Sequence, residues 1–97
     1  MIKRIVKMTF RPDQADYFEQ LFEERKEKIR AYPGCLHLEL VREVASSVFF
    51  TISIWDDPKS LESYRHSDLF STTWSKVKPL FEERAEAWTT NSIALLP

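Results

Sequence analysis

The sequence contains one glycine, one cysteine and very little net charge. A phosphate-binding loop and a dinucleotide fingerprint both need several glycines, so a single one excludes ATP and NAD sites of the usual kinds. Cys35 alone can form neither an internal disulfide nor a thiolate cluster. With 14 basic and 15 acidic residues, a formal net charge of −1 gives no broad attraction to nucleic acid or to an anionic membrane. A small neutral or weakly charged ligand is therefore expected.

Long hydrophobic runs are also absent. The opening segment MIKRIVKMTF is apolar only in alternation, unlike the continuous core of a signal peptide. No stretch approaches the roughly 20 apolar residues of a transmembrane helix, so we expect a cytoplasmic protein. A length of 97 residues predicts a single domain over residues 1–97. Such a short chain buries a small share of its surface, and self-association would help to stabilise it.

Strands are indicated where apolar residues alternate with polar ones. The predicted strands cover residues 2–10, 36–41, 48–55 and 87–96. Pro33-Gly34 is a turn signal at the entrance to the second strand, because proline fixes one dihedral angle and glycine accepts a positive φ. The segment from Arg42 to Ser47 is the predicted hairpin connection.

Helices are indicated between these strands by start signals and by apolar residues three or four apart. The first follows Pro12-Asp13, where Asp13 is a candidate cap, and ends near Ala31. The second opens at Asp57-Pro58, because an acidic cap followed by proline suits a helix start. Ser67 is the candidate cap of the third.

The third helix carries an apolar stripe that runs through Phe70, Trp74, Val77 and Phe81, although Pro79 should bend or interrupt it. The resulting order, β-α-β-β-α-(α)-β, is the split βαβ or ferredoxin-like arrangement. This is an α+β fold in which helices cover one face of a four-stranded antiparallel sheet.

The other face of that sheet needs a partner. Phe49, Trp55, Trp88 and further apolar strand residues would form a large exposed patch if one face stayed uncovered. Two sheets packed face to face would bury it, so a homodimer is expected.

The run from Val48 to Trp74, VFFTISIWDDPKSLESYRHSDLFSTTW, places an apolar strand ending in Trp55 before a helix started by proline and a second aromatic helix. Together with Pro33-Gly34 and the closing AWTTNSIALL segment, this layout resembles the antibiotic biosynthesis monooxygenase (ABM) family. The resemblance implies a dimeric α+β barrel. It also implies the chemistry of the family's quinone-forming members, which use no cofactor of their own because the deprotonated substrate itself reacts with oxygen.

The resemblance also implies positions for site residues. Quinone-forming members have an asparagine in the third strand and a tryptophan four residues later; this chain has Thr51 and Trp55 there. Thr51 can donate one hydrogen bond but lacks the two-sided grip of an amide. A branch that degrades haem has its iron ligand at the position of Trp74, and Trp74 cannot ligate iron. We therefore do not expect a haem or metal site.

The residues themselves support an aromatic-rich site for a flat organic ligand. Thr51, Trp55, Tyr64 and Trp74 are the predicted substrate-binding residues: the tryptophans would wall the ring and Tyr64 would bind an oxygen. His37 and Tyr64 are the weaker catalytic candidates, and His37, beside Glu39 in the second strand, would act as the base.

Each of these residues also has a purely structural interpretation. The tryptophans can be packing residues, because aromatic side chains dominate core burial. The hydroxyl of Tyr64 can simply reach water, and His37 can pair with Glu39 at the dimer interface. His66 is interpreted as a linker residue between helices, with contact to an acidic ligand as its alternative.

The leading hypothesis is a homodimer that oxidises a small aromatic or quinol-type molecule without a cofactor. The alternative is a non-catalytic dimeric module that binds a metabolite or serves a stress response with the same cavity. RNA binding through a similar βαββαβ sheet is disfavoured, because the third strand lacks the glycine-containing RNA-binding pattern and the chain is not basic.

Overall fold

A computed structural model describes residues 1–97, and it confirms the predicted order of elements. The strands and helices are β1 (Ile2–Phe10), α1 (Ala15–Arg30), β2 (Cys35–Arg42), β3 (Val48–Trp55), α2 (Pro58–Arg65), α3 (Asp68–Val77) and β4 (Phe81–Asn91). Short 3-10 turns at Pro12–Gln14 and Lys78–Leu80 precede α1 and β4. None of the helices combines the length and the apolar character that crossing a membrane requires.

The strands form one antiparallel sheet in the order β2-β3-β1-β4. The first strand in sequence therefore lies in the interior of the sheet, between β3 and β4. In the register, Ile5 of β1 lies opposite Ile52 of β3 and Trp88 of β4. This sheet with its three helices is the predicted α+β, ferredoxin-like arrangement.

The helices pack on the sheet face that carries Met8 and Phe10 of β1. Met8 pairs with Phe49 in the register, and side chains alternate between faces along a strand. Phe49 and Trp55 therefore share the helix-covered face, and both have 0% exposed surface. The expectation that these two residues contribute to an uncovered face is wrong, because the register assigns them to the core.

The core centres on three phenylalanine rings. Phe10 stacks on Phe18 of α1 with ring centroids 4.3 Å apart. Phe49 meets Phe10 and Phe18 edge-on at 5.5 Å and 5.2 Å. Because β1, β3 and α1 each supply one ring, this cluster holds the helix layer onto the sheet.

The two later helices begin as predicted. Asp57 accepts a hydrogen bond from the backbone N–H of Ser60 at 2.8 Å, and Ser67 accepts one from Phe70 at 3.1 Å. Asp13, by contrast, lies in the 3-10 turn, and α1 starts at Ala15 without any side-chain cap.

The C-terminal segment differs from the prediction. The helix α3 ends at Val77, and after the turn that contains Pro79 the chain enters β4 at Phe81, which runs to Asn91. Phe81 is a strand residue, although it continues the apolar spacing of the helix. Its ring lies 5.2 Å from the ring of Phe10 and 5.5 Å from that of Trp74. Phe81 therefore packs against a residue of the α3 stripe although it belongs to the next strand.

Steric constraints explain why the only glycine of the chain lies at position 34. Gly34 adopts φ = 89°, where a side chain is strained, and a Cβ there would lie 2.3 Å from the side chain of Ser60. Its carbonyl accepts a hydrogen bond from the N–H of Asp56 at 2.9 Å. The turn at Pro33-Gly34 thus fits closely against the start of α2, which sits over one end of the sheet.

Replacing Phe10 with alanine should lower the free energy of unfolding by about 3–5 kcal/mol, because it removes the ring that both other core rings contact. Chemical denaturation followed by circular dichroism measures the change. Tyr17→Ala is the matched control: Tyr17 is 49% exposed on α1, so its loss should change stability by no more than about 0.5 kcal/mol. Equal effects of the two substitutions would contradict the assignment of Phe10 to the core centre.

Candidate functional site

A cavity of about 360 Å³ lies between the three helices and the inner face of the sheet. Most of its lining is apolar and comes from all four strands and all three helices. The polar or charged side chains that line it are Arg4, Thr51, Ser53, Tyr64, Arg65 and Thr73. A cavity of this size, apolar with a few polar groups, is typical of sites for small organic molecules.

Four aromatic side chains of the lining form two stacked pairs. Trp55 is 0% exposed and forms the packed base, where its ring stacks on Tyr64 with centroids 5.1 Å apart. The indole N–H of Trp55 donates to the hydroxyl of Ser53 at 3.0 Å, which fixes the ring and satisfies its polar atom. Phe70 and Trp74 of α3 are partly exposed and stack nearly parallel, 5.8 Å apart at 9°.

Two hydroxyl groups of the lining remain free for a ligand. Neither Thr51 nor Tyr64 forms a side-chain hydrogen bond within the chain, although Tyr64 is partly buried. Burial, together with the negative charge of Cys35 in its thiolate form, raises the pKa of Tyr64 to about 12. Tyr64 therefore keeps its proton at neutral pH, where it is a hydrogen-bond donor.

The charged groups of the lining are both arginines. Arg4 donates to the Thr89 hydroxyl at 2.7 Å, and its position in β1 puts it on the same face as Val6. Burial lowers the pKa of Arg4, the positive charge of Arg65 lowers it further, and the carboxylate of Glu62 acts in the opposite direction. No aspartate, glutamate or histidine lines the cavity.

The structure brings the four predicted substrate-binding residues, Thr51, Trp55, Tyr64 and Trp74, to one cavity. It places His37 elsewhere. His37 lies opposite Ile54 in the register, on the sheet face away from the helices, with its Nε2 3.7 Å from Oε1 of Glu39.

Two further polar residues, Lys7 and His66, also lie outside the cavity. Lys7 is on the same outer face as His37, paired with Phe50 in the register. His66 is exposed, and its Nε2 lies 2.6 Å from Oε1 of Glu62. The chain has no group of three or more His, Cys, Asp or Glu side chains arranged to hold a metal.

Arg4 and Arg65 are the site residues that sequence reasoning missed. The available signal was the alternation of β1, since Arg4 interrupts the apolar face that Val6 and Met8 continue. A positively charged residue on an otherwise apolar strand face indicates either the edge of a sheet or a binding site. Only the fold shows that α2 brings Arg65 near the same place.

Comparison with protein families gives a match over residues 1–74 to the model described as "Antibiotic biosynthesis monooxygenase". The match spans β1 through most of α3 and therefore includes the four predicted substrate-binding residues. The curated proteins contain no match to this chain.

Solved structures share the fold. A crystal structure of an antibiotic biosynthesis monooxygenase matches with a TM-score of 0.89 at 21% identity, covering 97% of this chain and 100% of that one. A mutant of SnoaB, a cofactor-independent oxygenase from Streptomyces nogalater, matches with a TM-score of 0.86 at 18% identity, covering 99% and 96%. A conserved protein from Methanosarcina mazei Go1 matches with a TM-score of 0.86 at 19% identity, covering 92% and 89%. At these identities the likeness concerns the fold alone.

The phenol of Tyr64 should titrate late. The difference in ultraviolet absorbance between the wild type and Tyr64→Phe should show a phenol that ionises with a midpoint near pH 12. The folded state holds this proton more tightly than the unfolded chain, whose pKa is near 10.0. The contribution of this proton to the free energy of unfolding is therefore fully present below pH 10.0 and is lost as the pH rises toward 12. A midpoint near 10.0 would contradict the buried setting of Tyr64.

Proposed function

This chain belongs to the antibiotic biosynthesis monooxygenase family, and on that premise we propose that it oxidises a small aromatic or quinol-type molecule without a cofactor. The observation that carries the proposal is the cavity: aromatic side chains line a space of about 360 Å³ whose polar groups are hydroxyls and two arginine cations. A flat electron-rich ring fits such a lining.

Substrate binding in this proposal uses the apolar walls. The paired rings of Phe70 and Trp74 offer a flat surface on α3, and Tyr64 offers a second one above Trp55. Burial of both ring faces would supply most of the binding free energy, at about 25 cal/mol per Å² of apolar surface. The hydroxyls of Thr51 and Tyr64 would orient a substrate oxygen.

Activation in this proposal comes from stabilising the substrate anion. No carboxylate or imidazole lines the cavity, so the proton of the bound phenol or of an acidic ring C–H leaves to water. Donors aimed at the developing negative charge make that loss easier, and they are worth more in an apolar cavity than in water. Tyr64 suits this role because its own proton stays in place at neutral pH. His37 has no part in it.

The electron-rich anion then reduces dioxygen directly. For a substrate that carries a CH₂ group next to the ring, the carbon becomes a carbonyl, one oxygen atom of O₂ enters it, and the other leaves as water. The substrate supplies all the electrons, so the balance needs no cofactor or external reductant. The lining around the reacting carbon is mostly apolar.

Oxygen uptake by purified, metal-free protein tests the proposal against anthrones, naphthols and hydroquinones. The wild type should consume oxygen with at least one class, and Thr51→Val and Tyr64→Phe should each lower kcat/KM by about tenfold or more, because each removes one donor. Tyr17→Phe makes the same chemical change on the exposed face of α1 and should leave the rate unchanged.

The outcome that would contradict catalysis is equally specific. Saturable binding of these ligands, seen as quenching of tryptophan fluorescence, without oxygen uptake by any of them would identify a binding module instead. Oxygen uptake that neither Thr51→Val nor Tyr64→Phe lowers would show that the reaction does not take place in this cavity.

We also propose that the outer sheet face pairs with a second copy of the chain, as the family resemblance implies. Ile52 lies between Glu39 and Ile5 in the register, and Trp88 beyond Ile5 is 45% exposed. Phe50 adds a further apolar side chain beside this row. Two such faces would bury each other's apolar rows, with His37 and Glu39 near one end of the contact.

Changing Ile52 to arginine should break this dimer, because the new charge lies at the centre of the face and would be buried without a partner. Light scattering after size-exclusion chromatography should give twice the mass of one chain for the wild type and a single chain for the variant. Val44→Arg is the matched control, since Val44 is 92% exposed in the hairpin connection. A wild type of single-chain mass would refute the dimer.

A further inference from the structure

Arg4 is a charged residue on a face that otherwise belongs to the core. It lies in the interior of the sheet, opposite Ser53 of β3 and Thr89 of β4, and it is only partly exposed. Thr89 accepts one of its hydrogen bonds at 2.7 Å. Arg4 forms no ion pair with any carboxylate of the chain. A guanidinium group has five N–H donors, so most of its capacity is unused.

The nearest charges do not compensate Arg4. Arg65, from the last turn of α2, lines the same cavity and adds a second positive charge. The carboxylate of Glu62 lies near both, but it is shared: Arg65 approaches it at 3.5 Å and His66 at 2.6 Å. The cavity itself contains no acidic side chain. Its lining is therefore positive, although the whole chain has a net charge of −1.

Such an arrangement costs free energy in the unliganded protein. A partly desolvated cation that forms no ion pair is unfavourable, and a second cation nearby adds repulsion, which the shared carboxylate of Glu62 only partly offsets. Burial and Arg65 both lower the pKa of Arg4, which is the sign of that cost. An apolar residue at this strand position would pack without it, so the charge requires a reason other than stability.

We propose that Arg4, supported by Arg65, binds an anionic oxygen substituent of the ring-containing ligand, either a carboxylate or an ionised phenol. The planar fork of a guanidinium group matches two oxygens of a carboxylate, and it also accepts a single phenolate oxygen. The hydrogen bond from Arg4 to the hydroxyl of Thr89 holds the guanidinium group in place at the sheet. This inference rests on the cavity of the proposed function and narrows its substrate class to aromatic molecules that carry an acidic group.

The test compares each anionic ligand with a neutral ligand of nearly the same shape. A naphthoic acid is paired with its carboxamide for the carboxylate, and a nitronaphthol above its own pKa is paired with its methyl ether for the phenolate. Binding is followed by quenching of tryptophan fluorescence in the wild type, in Arg4→Gln and in Arg4→Lys. Arg84→Gln is the control, because Arg84 is exposed, forms no ion pair and does not line the cavity.

The wild type should bind at least one anion about tenfold or more tightly than its neutral partner. Arg4→Gln should abolish that preference while neutral ligands bind as before, and Arg4→Lys should keep part of it, since the charge remains without the fork. Arg84→Gln should keep all of it. The naphthoic acid pair and the nitronaphthol pair show which anion the site prefers.

Two results would overturn the inference. One is a wild type that binds anion and neutral partner equally, which needs no variant and so does not depend on folding of the mutants. The other is an anion preference that survives in Arg4→Gln. Failure of the proposed oxidation is a separate result: an anion preference lost in Arg4→Gln, without oxygen uptake, supports this inference and refutes the oxidation. Uptake without an anion preference does the reverse.

Discussion

The antiparallel register between β1 and β3 is the constraint on which the rest of the structure depends. It pairs Met8 with Phe49, and because side chains alternate along each strand, that one pairing decides the face of every other residue in both strands. A shift by one residue would move Phe49, Thr51 and Trp55 to the outer face. The core ring cluster and the cavity would then disappear together, so stability and site share one determinant.

The two faces of the sheet differ in what they carry. At one end of the inner face the helices pack against Phe10. At the other end lies the cavity, where Arg4 stands among apolar residues of the lining. The outer face has an apolar row through Ile52 and Trp88 that we propose is buried by a second copy. Each strand thus supplies alternate residues to the cavity and to the proposed contact between copies.

The polar side chains of the cavity are hydroxyl groups and arginines, and none is a carboxylate or an imidazole. Burial raises the pKa of Tyr64 to about 12, so its phenol stays protonated even in mildly alkaline solution, and Arg4 forms no ion pair with a carboxylate. Desolvation strengthens both interactions, because charges and hydrogen bonds act more strongly in an apolar setting. The physical basis of the proposed oxidation is therefore stabilisation of an ionised substrate in a mostly apolar cavity.

By itself the sequence determined the order of elements, the starts at Asp57 and Ser67, and the residues around Trp55 and Tyr64. These follow from local signals: alternation, helical spacing, and side chains that cap their own backbone. Only the tertiary structure decided that Phe81 begins a strand, that His37 faces away from the cavity, and that Arg4 and Arg65 converge on it. Such facts depend on register and on contacts between residues distant in the chain, which no local pattern encodes.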